Sequence, residues 1–410
     1  MLLLPGRADG SAGAGYLNIV PEFTNEFTSA ASVKKMAIQD SVTSWFIQNI
    51  VLPNAEDMRN PGYILSRFTD QGKTIALREF FFPERFYIEL EIRIAKDLGA
   101  KGEKLLYSIG KRFGYRYAGL SRYPIADSVG EKKLDEFMYM FTRYIEVIYA
   151  RQLKHRIDFK SRLLELEADS YVCCAKDGMG YLLLIGPWTG GWAHIMGDSS
   201  IEGIQIACQG RGDKRCRLFC APAPVLKGMK LKPPAEPDMY DLGEDMGKYG
   251  QLNAVYPSEN GNGSMVALIE NGIFRYERGQ LFFGDKRMVG IESSMQYMID
   301  DCLSRSAKTR KILFDTAFSA GKDMGKGREA AFAQRLLSGI GFGDAQVVSV
   351  KGGYKVMLFH FPWTAFSKDC RFTTLAGFVS GLLSGVHGKD IILKKVSKTE
   401  AENGFHVQLD

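Results

Sequence analysis

The feature that most constrains this chain is an internal repeat whose two copies have diverged. Pro187-Trp188-Thr189 recurs as Pro362-Trp363-Thr364. Two further anchors precede it in the same order. Phe81-Phe82 aligns with Phe282-Phe283, and Leu105-Leu106-Tyr107 with Gly114 aligns with Ile312-Leu313-Phe314 with Gly321. A fixed order of matches in two halves indicates one supersecondary plan used twice. The first copy carries an added stretch, about 131–166. It alone carries a cysteine cluster, in Cys208-Gln-Gly-Arg-Gly-Asp213-Lys-Arg-Cys216-Arg-Leu-Phe-Cys220.

A length of 410 residues exceeds one ordinary core. The reading is an N-terminal extension with one helix (1–58), a first unit (59–220), a Pro- and Gly-rich linker (221–263) and a second unit without the cysteines (264–410). In the extension, the spacing of Val33, Met36, Val42, Trp45, Phe46 and Ile50 predicts a helix over 32–51, stopped before Pro53. Pro83–Leu98 starts with proline and keeps Phe86, Leu90, Ile94 and Leu98 on one face, and 103–117 reads as a second helix. Leu134–Leu166 reads as one long amphipathic helix or two. Residues 170–185 read as a hairpin, with 180–185 as its second strand. In the second unit strands are expected near 265–283 and helices near 286–304 and 308–325. A hairpin at 344–360, a helix near 372–386 and C-terminal strands follow. Helices and strands segregate along the chain, so the expected class is α+β: two tandem domains, each an antiparallel sheet with helices on one side.

Composition excludes several classes. No run is long enough to span a bilayer, and Met1-Leu-Leu-Leu-Pro has neither the basic start nor the apolar length of a secretory signal, so a cytoplasmic protein is expected. The net charge of +6 is spread along the chain, so nucleic acid is not an expected partner. Seven cysteines, unevenly clustered, do not form a disulfide framework. There is no phosphate-binding glycine loop, no Ser-His-Asp order and no nicotinamide or flavin fingerprint, so the reading leans away from an enzyme.

Seven residues containing Gly210, Gly212 and Asp213 separate Cys208 from Cys216, which predicts a hairpin with a thiol near each rung. Two such thiolates supply half of a tetrahedral zinc site with Zn–S distances of about 2.3 Å. Cys174, Cys173, Cys220, Glu202 and His194 are the candidates for the other half. The competing reading is burial, since cysteine packs as a small hydrophobe. The corresponding positions of the second unit fall near Lys398 and His406, without cysteine.

The run from Gln205 to Phe219, with Cys208, Gly212-Asp213 and Cys216, resembles the closing hairpin of the 4-vinyl reductase domain family. Trp188-Thr-Gly-Gly-Trp192 through Gly197 resembles the segment before that hairpin, and Ala376 to Gly385 resembles the preceding helix. The likeness covers about 65–220 and, more faintly, 265–410. It implies an α+β small-molecule-binding domain, often dimeric. The family is similar in fold to the ligand-binding domains of phenol- and toluene-responsive regulators and to Golgi transport tethering subunits. In the regulators a zinc is held by cysteines and a glutamate. The position of that glutamate, three residues before the first hairpin cysteine, is Gln205 here, with Glu202 further upstream. The ligand set taken is therefore Cys208, Cys216, Cys174 and Glu202, with Cys173, Cys220, Gln205 and His194 as alternatives.

Aromatic residues crowd the first unit, and Trp188, Trp192, Tyr107, Phe113, Tyr117 and Phe86 are the candidates for lining an apolar pocket. The expectation is a cytosolic sensor or carrier for a hydrophobic or aromatic molecule, with a structural zinc and a homodimeric or other protein partner. The alternatives are a scaffold subunit of a larger assembly and an accessory protein in tetrapyrrole or related cofactor synthesis.

Overall fold

The structure is a computed structural model that describes residues 43–44, 47, 56–70, 73–174, 179–234, 263–351, 353–362, 371–401 and 404–410. Most of the expected helix at 32–51, most of the linker, and Trp363-Thr364 lie outside the described residues. Thr43 and Ser44 are helical.

The first unit begins with three strands, β1 (Glu56–Asp57), β2 (Ile64–Asp70) and β3 (Lys73–Pro83). Pro83, extended at φ −60°, is the N-cap of α1 (Glu84–Leu98), which turns Phe86, Tyr87, Leu90 and Ile94 inward. Gly99, at φ +56°, breaks the helical run and lets α2 (Ala100–Leu120) leave in a new direction. A short α3 (Ala126–Val129), α4 (Glu131–Tyr149), β4 (Gln152–Asp158) and β5 (Leu163–Asp169) follow. After a loop, one π-helical turn (Tyr181–Ile185) runs directly into α5 (Gly186–Ile195), then β6 (Ile201–Ala207), β7 (Cys216–Pro222) and α6 (Ala223–Gly228).

The second unit repeats the plan. It comprises α7 (Met265–Glu270), β8 (Phe274–Glu277), β9 (Gln280–Phe283), β10 (Lys286–Glu292), α8 (Ser293–Ser304), α9 (Ala307–Gly325), α10 (Ala330–Gly339), β11 (Asp344–Val350), β12 (Gly353–Phe359), α11 (Thr373–His387), β13 (Val396–Ala401) and β14 (Gly404–Leu409). The class is α+β with antiparallel sheets. Two four-stranded sheets have matching orders, β4-β5-β7-β6 and β11-β12-β14-β13.

The third sheet belongs to both units. Its order is β1-β2-β3-β10-β9-β8, so the inner strand of each half pairs with that of the other, with Phe82 opposite Val289 and Phe81 opposite Gly290. The same joint is apolar beneath the sheet: Phe82 lies 4.7 Å from the Phe378 ring and 5.9 Å from Phe342. One continuous core therefore runs through both units.

Several expectations are corrected. Residues 181–185 are helical rather than a strand, and all five are buried. A wholly apolar stretch has no alternation, so periodicity cannot separate a strand from a buried helical turn. The two prolines of this match are consequently not equivalent: Pro187 opens α5, whereas Pro362 follows β12. Phe81-Phe82 sits in the strand leading into α1, but Phe282-Phe283 sits one strand earlier than its counterpart, β10. Residues 131–166 are not one helical insert; α4 answers to the shorter α10, and β4–β5 answer to β11–β12. Residues 265–270 are helical, and the helix expected from 286 begins at Ser293 after β10.

The repeat itself survives on a different signature. Helix α5 crosses α2 and α11 crosses α9, each pair through small residues. A Cβ on Gly186 would lie 2.6 Å from Gly110 Cα, and one on Gly377 would lie 2.5 Å from the Phe314 carbonyl oxygen. A Cβ on Gly190 would overlap the Lys111 carbonyl, and one on Gly381 would overlap that of Phe318. Lys111 and Phe318 correspond under the Leu105/Ile312 alignment, so that anchor holds.

Candidate metal centre and aromatic face

Three thiols converge in the first unit. Cys208 ends the β6 side of the hairpin, Cys216 opens β7, and Cys174 comes from the loop after β5; all three are buried and their sulfurs lie within 4.8 Å of one another. The hairpin tip is shaped locally. Cys208 N–H donates to Asp213 Oδ2 at 2.7 Å, and Gly212 takes φ +94°, so Asp213 acts as the turn residue its position suggests. Gln209 ties this tip to the far loop by donating to Asp169 Oδ1 at 2.7 Å and accepting Ser170 N–H at 2.7 Å.

The loop bearing Cys174 is held from beneath by two carboxylates of α1. Glu84 accepts Cys173 N–H at 3.0 Å. Glu91 accepts three backbone N–H groups, from Met179 (3.0 Å), Gly180 (2.9 Å) and Leu182 (2.8 Å). Burial nonetheless pushes the Glu91 carboxyl up to about 7, against those hydrogen bonds. Sequence reasoning missed this pair. Its signal was two acidic residues seven apart on a face otherwise filled by Tyr87, Ile88 and Ile94.

The thiols share their protons. Cys208 is drawn well below the usual thiol range by S–H donation from Cys174 and then Cys216, and Cys174 is pushed up as the donor. Three buried sulfurs this close together are the donor set of a soft or borderline cation. A tetrahedral zinc would place its sulfurs about 3.8 Å apart, from Zn–S bonds of about 2.3 Å. Gln205 completes the surroundings: its Nε2 is 3.6 Å from Cys174 Sγ, while its buried Oε1 meets no hydrogen-bond partner.

The remaining metal candidates lie elsewhere. Glu202 does not join the thiols; it accepts from Lys111 Nζ at 2.8 Å and from the Tyr107 hydroxyl, a buried ion pair between β6 and α2. Cys220 Sγ contacts Thr189 Oγ1 at 3.7 Å, and burial pushes its thiol up to about 12. His194 packs edge-on against Tyr115, and burial holds its imidazole below the ordinary value.

The structure brings three of the six pocket candidates into one aromatic face. Phe113 lies 5.5 Å from Tyr117, which meets Tyr123 at 6.1 Å. Tyr123 meets Phe137 and Phe141, and Phe141 lies 5.2 Å from Trp188. Phe113, Tyr123, Phe137 and Phe141 are only partly buried. Trp188 donates its indole N–H to the Tyr171 hydroxyl at 3.2 Å, one turn of chain from Cys174. Trp192 stands apart from this face, 1% exposed, and donates to the Arg162 carbonyl at 2.8 Å. Tyr107 serves the Glu202 ion pair. Phe86 packs on Phe82 at 4.7 Å, on the side of the joint between units.

No family model matches this chain, and no curated protein matches it. Several solved structures match. One of them is the phenol-responsive sensory domain of the transcription activator PoxR with phenol, at 17% identity, covering 42% of this chain and 92% of that one with a TM-score of 0.31. No helix among the described residues is long and apolar enough to cross a membrane.

Proposed function

We propose that this chain is a non-catalytic binding protein for a hydrophobic or aromatic small molecule, with its first unit cross-linked by a structural zinc. The observation that carries the reading is the convergence of the buried Cys174, Cys208 and Cys216 thiols beside a Gln205 amide oxygen that lacks a partner. Turning that amide end for end presents Oε1 toward the thiols as a fourth donor. The likeness of the Gln205–Phe219 hairpin to the 4-vinyl reductase family supports Cys208 and Cys216, with Gln205 standing at the family's glutamate position. When bound, the metal supplies a cross-link between the β6–β7 hairpin and the loop that leads into α5. Trp188 stands in α5 and hydrogen-bonds Tyr171 on that loop. The ligand face is then the cluster of Trp188, Phe113, Tyr117, Tyr123, Phe137 and Phe141. A reduced triad suits a cytoplasmic setting.

Native mass spectrometry of protein purified without chelator tests both halves. One zinc per chain together with a small organic mass is the expected result. Protein carrying neither, with its thiols freely alkylated, overturns it.

A scaffold role is favoured by one observation. Strand β11 is an edge of its sheet and leaves Val348 and Val350 at 37% and 45% exposure. A monomeric mass in solution that is unchanged by Val350→Lys counts against it.

A further inference from the structure

The second unit lacks the thiols but carries a concavity of its own. A groove of about 370 Å³ lies between the first turns of α9 and α11 and the chain entering β13. Four cations line it, Arg310, Lys311, Arg371 and Lys394, and no acidic side chain does; Phe314 and Ala376 contribute apolar wall. Lys311 is paired outward with Asp315, one turn along α9. Arg310, Arg371 and Lys394 form no ion pair among the described residues. Elsewhere in the chain basic side chains are commonly neutralised, as in Arg217–Glu165, Arg162–Asp198 and Lys322–Asp390. Like charges gathered around one hollow repel each other unless an anion sits between them.

Under the repeat alignment, Arg310 stands where the first unit has Glu103, and Phe314 where it has Tyr107. The first unit fills this region with the internal Tyr107–Glu202–Lys111 contact. In the second unit Phe318 stands at the Lys111 position, and Arg310 carries the opposite charge to Glu103. The first residues of α9 and α11, Ala307 and Thr373, also line the groove. From the interior, Asp300 caps Thr374 N–H at 2.8 Å.

We propose that this groove binds an organic oxyanion, a phosphate monoester or carboxylate bearing a short apolar or aromatic group. The cations take the headgroup, Arg310 and Arg371 through their planar forks, and the Phe314–Ala376 wall takes the tail. The size suits a small molecule.

Calorimetric titration of the full chain with phenyl phosphate, inorganic phosphate and phenol tests the proposal. Phenyl phosphate should bind with a Kd below about 1 mM and weaken as salt is raised. Substituting Arg310→Gln together with Lys394→Gln should raise that Kd at least about tenfold, the loss of charge-assisted hydrogen bonds. Because both side chains lie at the mouth, the circular dichroism and melting of the variant should match the parent. Arg310→Glu, which installs the first unit's residue, provides a second variant with the same expected loss. Absence of phenyl phosphate binding, or unchanged binding in either variant, overturns the site. Inorganic phosphate binding as tightly as phenyl phosphate overturns the apolar half of the proposal. Phenol binding unaffected by the substitutions is expected, and loss of phenol binding in both variants would overturn the separation of this site from the aromatic face.

Discussion

Lys111 shows how one side chain separates the two halves. Its ammonium is buried against Glu202, with side-chain exposures of 4% and 7%, and Tyr107 donates to the same carboxylate. A buried pair is weak evidence of net stability, but removing one partner strands the other charge. Lys111→Met should therefore lower the stability read by urea denaturation by about 3–5 kcal/mol. Adding Glu202→Leu should recover most of it; a double variant as unstable as the single one would contradict this account. At the thiol cluster, Cys208→Ser and Cys174→Ser should each abolish zinc retention after gel filtration, whereas Cys220→Ser should retain it. Equal zinc loss in all three would show that the assigned sulfurs are not the ligands.

At the scale of elements, the helix crossings define the repeat. Gly186 and Gly190 let α5 lie against the α2 backbone, and Gly377 and Gly381 do the same for α11 on α9. Any Cβ at Gly190 or Gly381 meets a carbonyl that cannot move without shifting its helix. Gly190→Ala and Gly381→Ala should each destabilise by about 1–3 kcal/mol or more, as overpacking does. Helix content by circular dichroism should persist while the melting midpoint falls. Gly212→Ala, at φ +94° with open space around it, tests backbone strain at the metal hairpin alone. It should weaken zinc binding without disturbing the helix crossings.

At the scale of the whole molecule, the two halves complete each other's sheet. A fragment spanning 263–410 would expose β10, including buried Val289 and Ile291, as an open edge. It should self-associate in sedimentation, and co-expression with 56–234 should return a one-to-one complex. Fragments that remain monomeric and folded apart would contradict a shared core. The joint also carries a pH signal. Glu79 and Glu292 sit directly opposite each other on β3 and β10. Desolvation pushes the Glu79 carboxyl up to about 7, offset by the Ser66 hydroxyl and reinforced by Glu292. A carboxyl raised on folding is bound to its proton more tightly in the native state. Its contribution is complete below the unfolded value near 4.5 and is lost as pH rises through about 7. Glu79→Gln should flatten the stability profile between about pH 5 and 8 and stabilise the alkaline end. A profile as steep as the parent's would place the titrating group elsewhere.

What the sequence by itself determined was local. Helix α1 after Pro83, helix α2, the Cys208–Cys216 hairpin with its Asp213 turn, the hairpin of β11–β12 and the antiparallel α+β class all follow from period, caps and turn residues, which act over a few positions. Nothing in the spacing sets Cys174 above Cys173 as the third sulfur; only the loop geometry brings the Cys174 thiol beside the hairpin, while Glu84 accepts Cys173 N–H. Tertiary structure decided the rest. Glu202 met Lys111 rather than the thiols because α5 brings α2 against β6. Trp192 became a hydrogen-bonded core residue while Trp188 joined an aromatic face built from α2 and α4, a pairing of distant segments that no local pattern encodes. The Pro-Trp-Thr match misaligned the halves because three identical residues carry no backbone conformation. The glycines at the helix crossings align them because a missing Cβ is a requirement of contact, and contact exists only once the chain has folded.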